Sequence, residues 1–217
     1  MDPLPGPPVD IKNRKLPVTE FNDSMYRTHN TFRNPIYFGK TGQNRFDSPD
    51  GAYGVLYVGR DQYCAFIETF AKAAGTTTVT TTELRNNCLS ELRSRHALRL
   101  VDLTQSGALV RVGADSRLFS AEHAIARLWS KAFYDHPAKP DGLMYPSRLD
   151  PSKHAIALFE GRSDKIVELA RERWYATGSP RKLLAEIIEH YDLAVIEEKV
   201  IPPRRPPSSL AVQQRLK

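Results

Sequence analysis

The sequence predicts an α+β fold, with short strands in mixed or antiparallel sheets and helices around them. Two observations carry this. Runs rich in β-branched and aromatic residues recur at 53–59, 96–103 and 154–159, and read as strands. Helical patterns at 62–74, 120–134, 163–175 and 179–191 fall among them without strict alternation, which argues against a doubly wound parallel sheet.

The bulk properties bound the class. The chain has 217 residues, enough for one domain with a real core. Apolar residues make up 41% and charged residues 26%, ordinary for a soluble globular protein. No apolar run approaches the roughly 20 residues that span a bilayer. The start, Met1-Asp2-Pro3, does not read as a secretory signal. Cys64 and Cys88 form neither a disulfide framework nor a metal spacing, so a cytoplasmic protein with reduced thiols is expected. The net charge of +6 admits a polyanionic partner, but much of the excess lies in Arg204, Arg205, Arg215 and Lys217 near the C-terminus. That reads as a solvated tail before a DNA-binding patch, and a phosphate-bearing small ligand would equally suit a basic cleft.

In chain order, residues 1–24 form a proline-rich arm, extended or loosely packed. Residues 25–200 form a single domain and residues 201–217 a basic, proline-rich tail. Tyr26-Arg27-Thr28 reads as a short strand that turns Arg27 to one face, and Ile36-Tyr37-Phe38 as another after the Asn34-Pro35 turn. Residues 39–54 are a long loop with Gly39, Gly42 and Gly51, and Arg45-Phe46 sits inside it. It has the spacing of neither a P-loop nor a dinucleotide fingerprint. Asp61 reads as the N-cap of a helix over 62–74. On that helix Glu68 is three residues from both Ala65 and Ala71. A carboxylate there is an exposed helix glutamate, lies at a cleft edge, or is partly desolvated with a raised pKa.

Thr80-x-x-Glu83 is a capping box for a helix over about 81–94. The 120–134 helix places Ile125, Leu128, Trp129 and Ala132 on one stripe. In Asp141-Gly142-Leu143-Met144-Tyr145-Pro146-Ser147-Arg148, Pro146 restrains itself and Tyr145. The Ser147 hydroxyl and the Arg148 guanidinium then leave a strand end in set directions. A last short strand is expected at 193–196. The six histidines have no metal-binding spacing, and no metal is expected.

Arg27, Arg45, Glu68 and Ser147 all fall at element ends or in loops. Their order and surroundings resemble the RES-domain family. The likeness runs through Tyr26-Arg27, Arg45-Phe46, Val55-Leu56-Tyr57, Ala65-Phe66-Ile67-Glu68, Leu98 to Leu103, Tyr145-Pro146-Ser147-Arg148 and Ala155 to Phe159. The family usually has two glycines before the second arginine and a tryptophan after it. Here Gln43-Asn44 and Phe46 stand at those positions.

The resemblance implies an ADP-ribosyltransferase-like fold. It implies a toxin that consumes NAD⁺ and is neutralised by a helix-turn-helix antitoxin, with DNA reached only through that partner and no membrane role. The runner-up is a mono-ADP-ribosyltransferase acting on a protein, and a third reading is a module that only binds nucleotide or partner. By the resemblance, Arg27, Glu68 and Ser147 would be catalytic, with Glu68 on a ribose hydroxyl and Ser147 on the nicotinamide amide or its ribose. Arg45 would bind the pyrophosphate with Arg27. Tyr37 and Tyr57 would stack on the nicotinamide ring or bond its ribose, and Arg148 would line the NAD site. No cofactor is implied beyond NAD⁺ as substrate.

Overall fold

The computed structural model describes residues 4–71, 75–120, 122–163, 165–175 and 179–198. The basic tail and the expected end of the 62–74 helix lie outside these residues. The architecture is α+β, dominated by one eight-stranded, mostly antiparallel sheet.

The strands are β1 (Val18–Phe21), β2 (Met25–Asn30), β3 (Val55–Gly59), β4 (Thr78–Thr80) and β5 (Asn87–Ser94), then β6 (Leu98–Asp102), β7 (Gly142–Pro146), β8 (His154–Phe159), β9 (Ile166–Arg173) and β10 (Ala194–Ile196). The helices are α1 (Gln62–Phe70), α2 (Thr81–Asn86), α3 (Ala108–Val112), α4 (His123–Tyr134) and α5 (Ser179–His190). The main sheet runs β1-β6-β7-β8-β3-β2-β5-β9, and only β6–β7 is parallel. A separate pair joins β4 and β10 in parallel.

Strand periodicity builds two core layers. Along β8, Ala155, Ala157 and Phe159 enter one cluster with Phe46, Tyr53, Trp129 and Phe133, while Ile156 and Leu158 enter another with Leu56, Val58 and Leu100. A third cluster holds α1 against α2, α5 and Trp174, through Phe66, Phe70, Leu84 and Ile187. The sheet has one weak seam. β2 and β3 share a single register pair, Tyr26 opposite Gly59, whereas β3–β8 and β2–β5 are paired over five and six residues.

Several expectations are corrected. The capping box forms, with Glu83 N–H donating to Thr80 Oγ1 at 3.1 Å, but α2 stops at Asn86. From Asn87 the burial alternates, with Cys88, Ser90, Leu92 and Ser94 inside, so the segment becomes a strand between β2 and β9. The helix expected over 163–175 is the edge strand β9, where ladder bonds to β5 outweigh a local pattern that fits either state. Ile36-Tyr37-Phe38 is no strand, since only Gly39 bridges to Val55. On α4 the buried face is Ala126, Trp129, Ser130 and Phe133, and Leu128 is 45% exposed.

The proline-rich N-terminal segment is not loosely packed. Leu4, Ile11 and Leu16 are buried in the core. Trp129 Nε1 donates to the Pro5 carbonyl at 3.0 Å, and Asp102 N–H to the Pro17 carbonyl at 2.7 Å. Prolines leave fewer backbone donors to satisfy, so the segment can lie on apolar surface without a ladder.

Across β2, β5 and β9 runs a buried polar chain. His29 Nε2 lies 2.8 Å from Ser90 Oγ, Ser90 donates to Glu168 at 2.6 Å, and Cys88 Sγ lies 3.3 Å from His29 Nε2. Burial holds the His29 imidazole below its ordinary range, and Arg171 and Arg27 push the same way. The unfolded chain therefore takes up a proton that the folded chain resists. This contribution to stability is fully present above about pH 6.5 and is lost as pH falls through the lowered folded value.

Two predictions follow from the packing. Deleting residues 1–17 strips three buried aliphatic side chains, each worth roughly 1.5–3 kcal/mol. That is a large share of a domain's stability, so the cooperative urea transition should be lost or moved to much lower denaturant. Lowering the pH from 7 to 5 should reduce the unfolding free energy, and His29→Gln should flatten that slope in paired denaturation series.

Candidate active site

The seam between β2 and β3 opens a cleft of about 410 Å³, within the range of small-ligand sites. Its walls come from β2, β3, α1, the 44–45 loop, the end of β7 and the start of α4. The placement of α1 begins at Gly59. A Cβ there would stand 2.6 Å from Ala65 N and 2.8 Å from the Asp61 carbonyl, so only glycine lets the helix start this close to the strand. Asp61 caps α1 by accepting from Cys64 N–H at 2.7 Å, and Lys153 binds its other oxygen at 3.2 Å. Cys64, Ala65, Phe66, Ile67 and Phe70 are buried, which leaves Glu68 exposed at the cleft edge.

Ser147 Oγ donates to Glu68 Oε1 at 2.5 Å, a short hydrogen bond to a carboxylate. Ser147 is only 1% exposed, and its oxygen accepts from the backbone N–H of Leu149 at 3.2 Å and of Asp150 at 3.4 Å. The hydroxyl is thus engaged on both sides. It aims the Glu68 carboxylate and does not itself form part of the cleft lining. The turn that carries it is braced. Ser147 N–H donates to the Lys153 carbonyl at 2.8 Å, and Tyr191 donates its hydroxyl to Asp150 at 2.9 Å.

Three guanidinium groups line the same cleft: Arg27 from β2, Arg45 from the loop and Arg148 from the turn. Arg27 donates to the Pro35 carbonyl at 2.5 Å and to the Tyr37 carbonyl at 3.4 Å. Burial lowers its basicity, against a weaker opposing effect of the Tyr37 phenol. Burial does the same to Arg45; the Tyr145 phenol and Glu68 oppose the shift and Arg148 reinforces it. Gathering cations where desolvation and like charge both disfavour them makes a site for an anion.

Tyr57 reaches the cleft, but its hydroxyl is engaged: it accepts from Phe46 N–H at 2.9 Å and donates to Asp47 at 3.0 Å. Burial raises that phenol well above the ordinary tyrosine range. Tyr37 is 59% exposed and lies outside the cleft lining; it meets the site through Arg27, by its backbone carbonyl and by the charge effect of its phenol. The structure adds Tyr26, Phe119, His123, Tyr145 and the loop-bracing Asp47. Tyr145 stood in the recognised segment, and Asn44-x-x-Asp47 is a readable turn spacing. Phe119 and His123 carry no local signal, because a long-range fold brings them in. Among the described residues no group of three His, Cys, Asp or Glu is placed to hold a metal, and no helix is long and apolar enough to cross a membrane.

The fold is thus an α+β scaffold with a cleft lined by three arginines and a carboxylate that a buried serine orients. The sequence model of the RES domain matches residues 24–192, and the chain belongs to that family. A protein of Sinorhizobium fredii named probable toxin y4kH is 33% identical over 85 residues, 39% of this chain. The match spans 65% of that relative's length, just under two thirds.

Ser147→Ala removes a charge-assisted hydrogen bond and leaves two backbone N–H groups without their acceptor. It should cost about 1–3 kcal/mol in urea unfolding. Glu68→Gln, on an exposed helix face, should stay within about 0.5 kcal/mol of the native protein.

Proposed function

We propose that the protein is a RES-type toxin that cleaves the nicotinamide–ribose bond of NAD⁺ and is neutralised in the cytoplasm by a helix-turn-helix antitoxin. Membership of the family and the name of the Sinorhizobium relative support the toxin reading. The observation that carries the chemistry is the Glu68 carboxylate, held by Ser147 in a cleft lined by Arg27, Arg45 and Arg148.

In this reading the arginines bind the diphosphate, since guanidinium forks match phosphate oxygens. Glu68 lies against the nicotinamide ribose, accepts from its hydroxyl and stabilises the cation that develops as the bond breaks. The bonding pair goes to the pyridinium nitrogen, so nicotinamide leaves neutral and no strong acid is needed. A water then adds to the ribose carbon and loses its proton to solvent. Ser147 acts by fixing the direction of Glu68, and Tyr57 by holding the wall opposite.

Purified protein incubated with NAD⁺ should release free nicotinamide, counted by chromatography. Glu68→Gln should lower kcat about a hundredfold or more, as loss of one preorganised electrostatic group does. Labelled protein bands that appear only with cell extract would move the assignment to a mono-ADP-ribosyltransferase. No turnover under either condition, with cell toxicity unchanged in Glu68→Ala, would sink both enzymatic readings.

A further inference from the structure

We propose that Asp47 is a positioning residue of the cleft: its buried carboxylate fixes the 41–47 loop so that Arg45 meets the anionic part of the ligand. The inference deepens the dinucleotide reading and rests on it for the ligand's identity.

Arg45 reaches the cleft from irregular backbone, with no strand or helix to hold it. A loop of this kind wanders unless something closes it. Asp47 N–H donates to the Asn44 carbonyl at 3.3 Å, which makes Arg45 and Phe46 the central pair of a turn. The Asp47 side chain, 0% exposed, gathers the rest of the loop. It accepts from Gln43 N–H at 3.1 Å, Asn44 N–H at 3.0 Å, the Asn44 side-chain amide at 3.2 Å, the Thr41 hydroxyl at 3.3 Å and the Tyr57 hydroxyl at 3.0 Å. On the other side of Arg45, Phe46 is fixed at both backbone groups. Its N–H donates to Tyr57 Oη at 2.9 Å and its carbonyl accepts from Ser130 at 2.7 Å.

The chemistry needs a carboxylate. Donors converge on both oxygens, so an amide at this position would turn its own N–H₂ against one set of them: the backbone N–H groups of Gln43 and Asn44, or the Tyr57 hydroxyl and the Asn44 side-chain amide. Burying an anion is unfavourable unless it is well bonded, so a fully bonded one in a loop reports a strong demand for one loop shape.

The test is a double-variant cycle read by calorimetric binding of ADP-ribose. Asp47→Asn and Arg45→Ala should each weaken binding about tenfold. The double variant should bind within about twofold of Arg45→Ala alone, because Asp47 acts through Arg45. Tyr57→Phe should show a smaller loss with the same non-additivity, and replaces Asp47→Asn in the cycle if that protein does not fold. Additive losses, or native-like binding by Asp47→Asn, overturn the proposal. If the native protein binds neither ADP-ribose nor NAD⁺, the dinucleotide reading has failed. The same cycle with inorganic pyrophosphate then decides the claim for Asp47, and absence of pyrophosphate binding overturns it as well.

Discussion

The site depends on the place where β2 parts from β3. Two antiparallel strands joined at one register pair leave backbone and side chains facing an opening instead of each other. The parting is enforced from one side by α1, whose first turn lies on Gly59 closely enough to exclude any side chain. From the other side, β2 is held by six paired residues to β5. Neither half can close the gap without giving up its own ladder or its own core. The cleft is therefore a product of packing, in which a lining residue such as Gly59 also sets how close the helix beside it can lie.

Electrostatics inside the cleft are arranged against stability. Arg45 and Arg148 raise each other's energy, and burial disfavours both Arg27 and Arg45 as charged groups. The structure counters with fixed dipoles and carbonyls, as in the two carbonyl acceptors of Arg27. Such an arrangement is favourable only when an anion completes it. The Glu68 carboxylate acts on Arg45 through space, and the neutral Ser147 hydroxyl donates to it and directs it. The cleft therefore sets an oriented carboxylate beside a wall that carries three guanidinium groups.

The sequence revealed the site better than the fold around it. Arg27, Arg45, Glu68, Tyr57 and Arg148 all reach the cleft: Arg45 and Arg148 from loops, Arg27 and Tyr57 from the two strands that part there, and Glu68 from the exposed face of α1. Tyr37 does not, because Ile36-Tyr37-Phe38 lacks the ladder that would have turned it inward. Ser147 reached the site in a different role: its burial and its three hydrogen bonds make it an aiming device. The two misread strands, β5 and β9, share a cause. Both carry charges at spacings that also fit a helix, and long-range pairing decides for a sheet: β5 with β2 on one side and, through a bulge at Glu91/Leu92, with β9 on the other. Such pairing is a long-range fact that no local window contains.

The same logic joins the C-terminal part of the chain to the chemistry. Tyr191 follows α5, far from the cleft in sequence, and α5 packs through Ile187 into the cluster beneath α1. Its hydroxyl bonds Asp150, whose own N–H bonds Ser147, whose hydroxyl bonds Glu68. Glu68 itself stands on α1, whose buried side is that same cluster. One apolar core thus supports the carboxylate from below and steers it from above. Shifts in α5 would be felt at Glu68 by both routes, although none of the helix's described side chains lines the cleft.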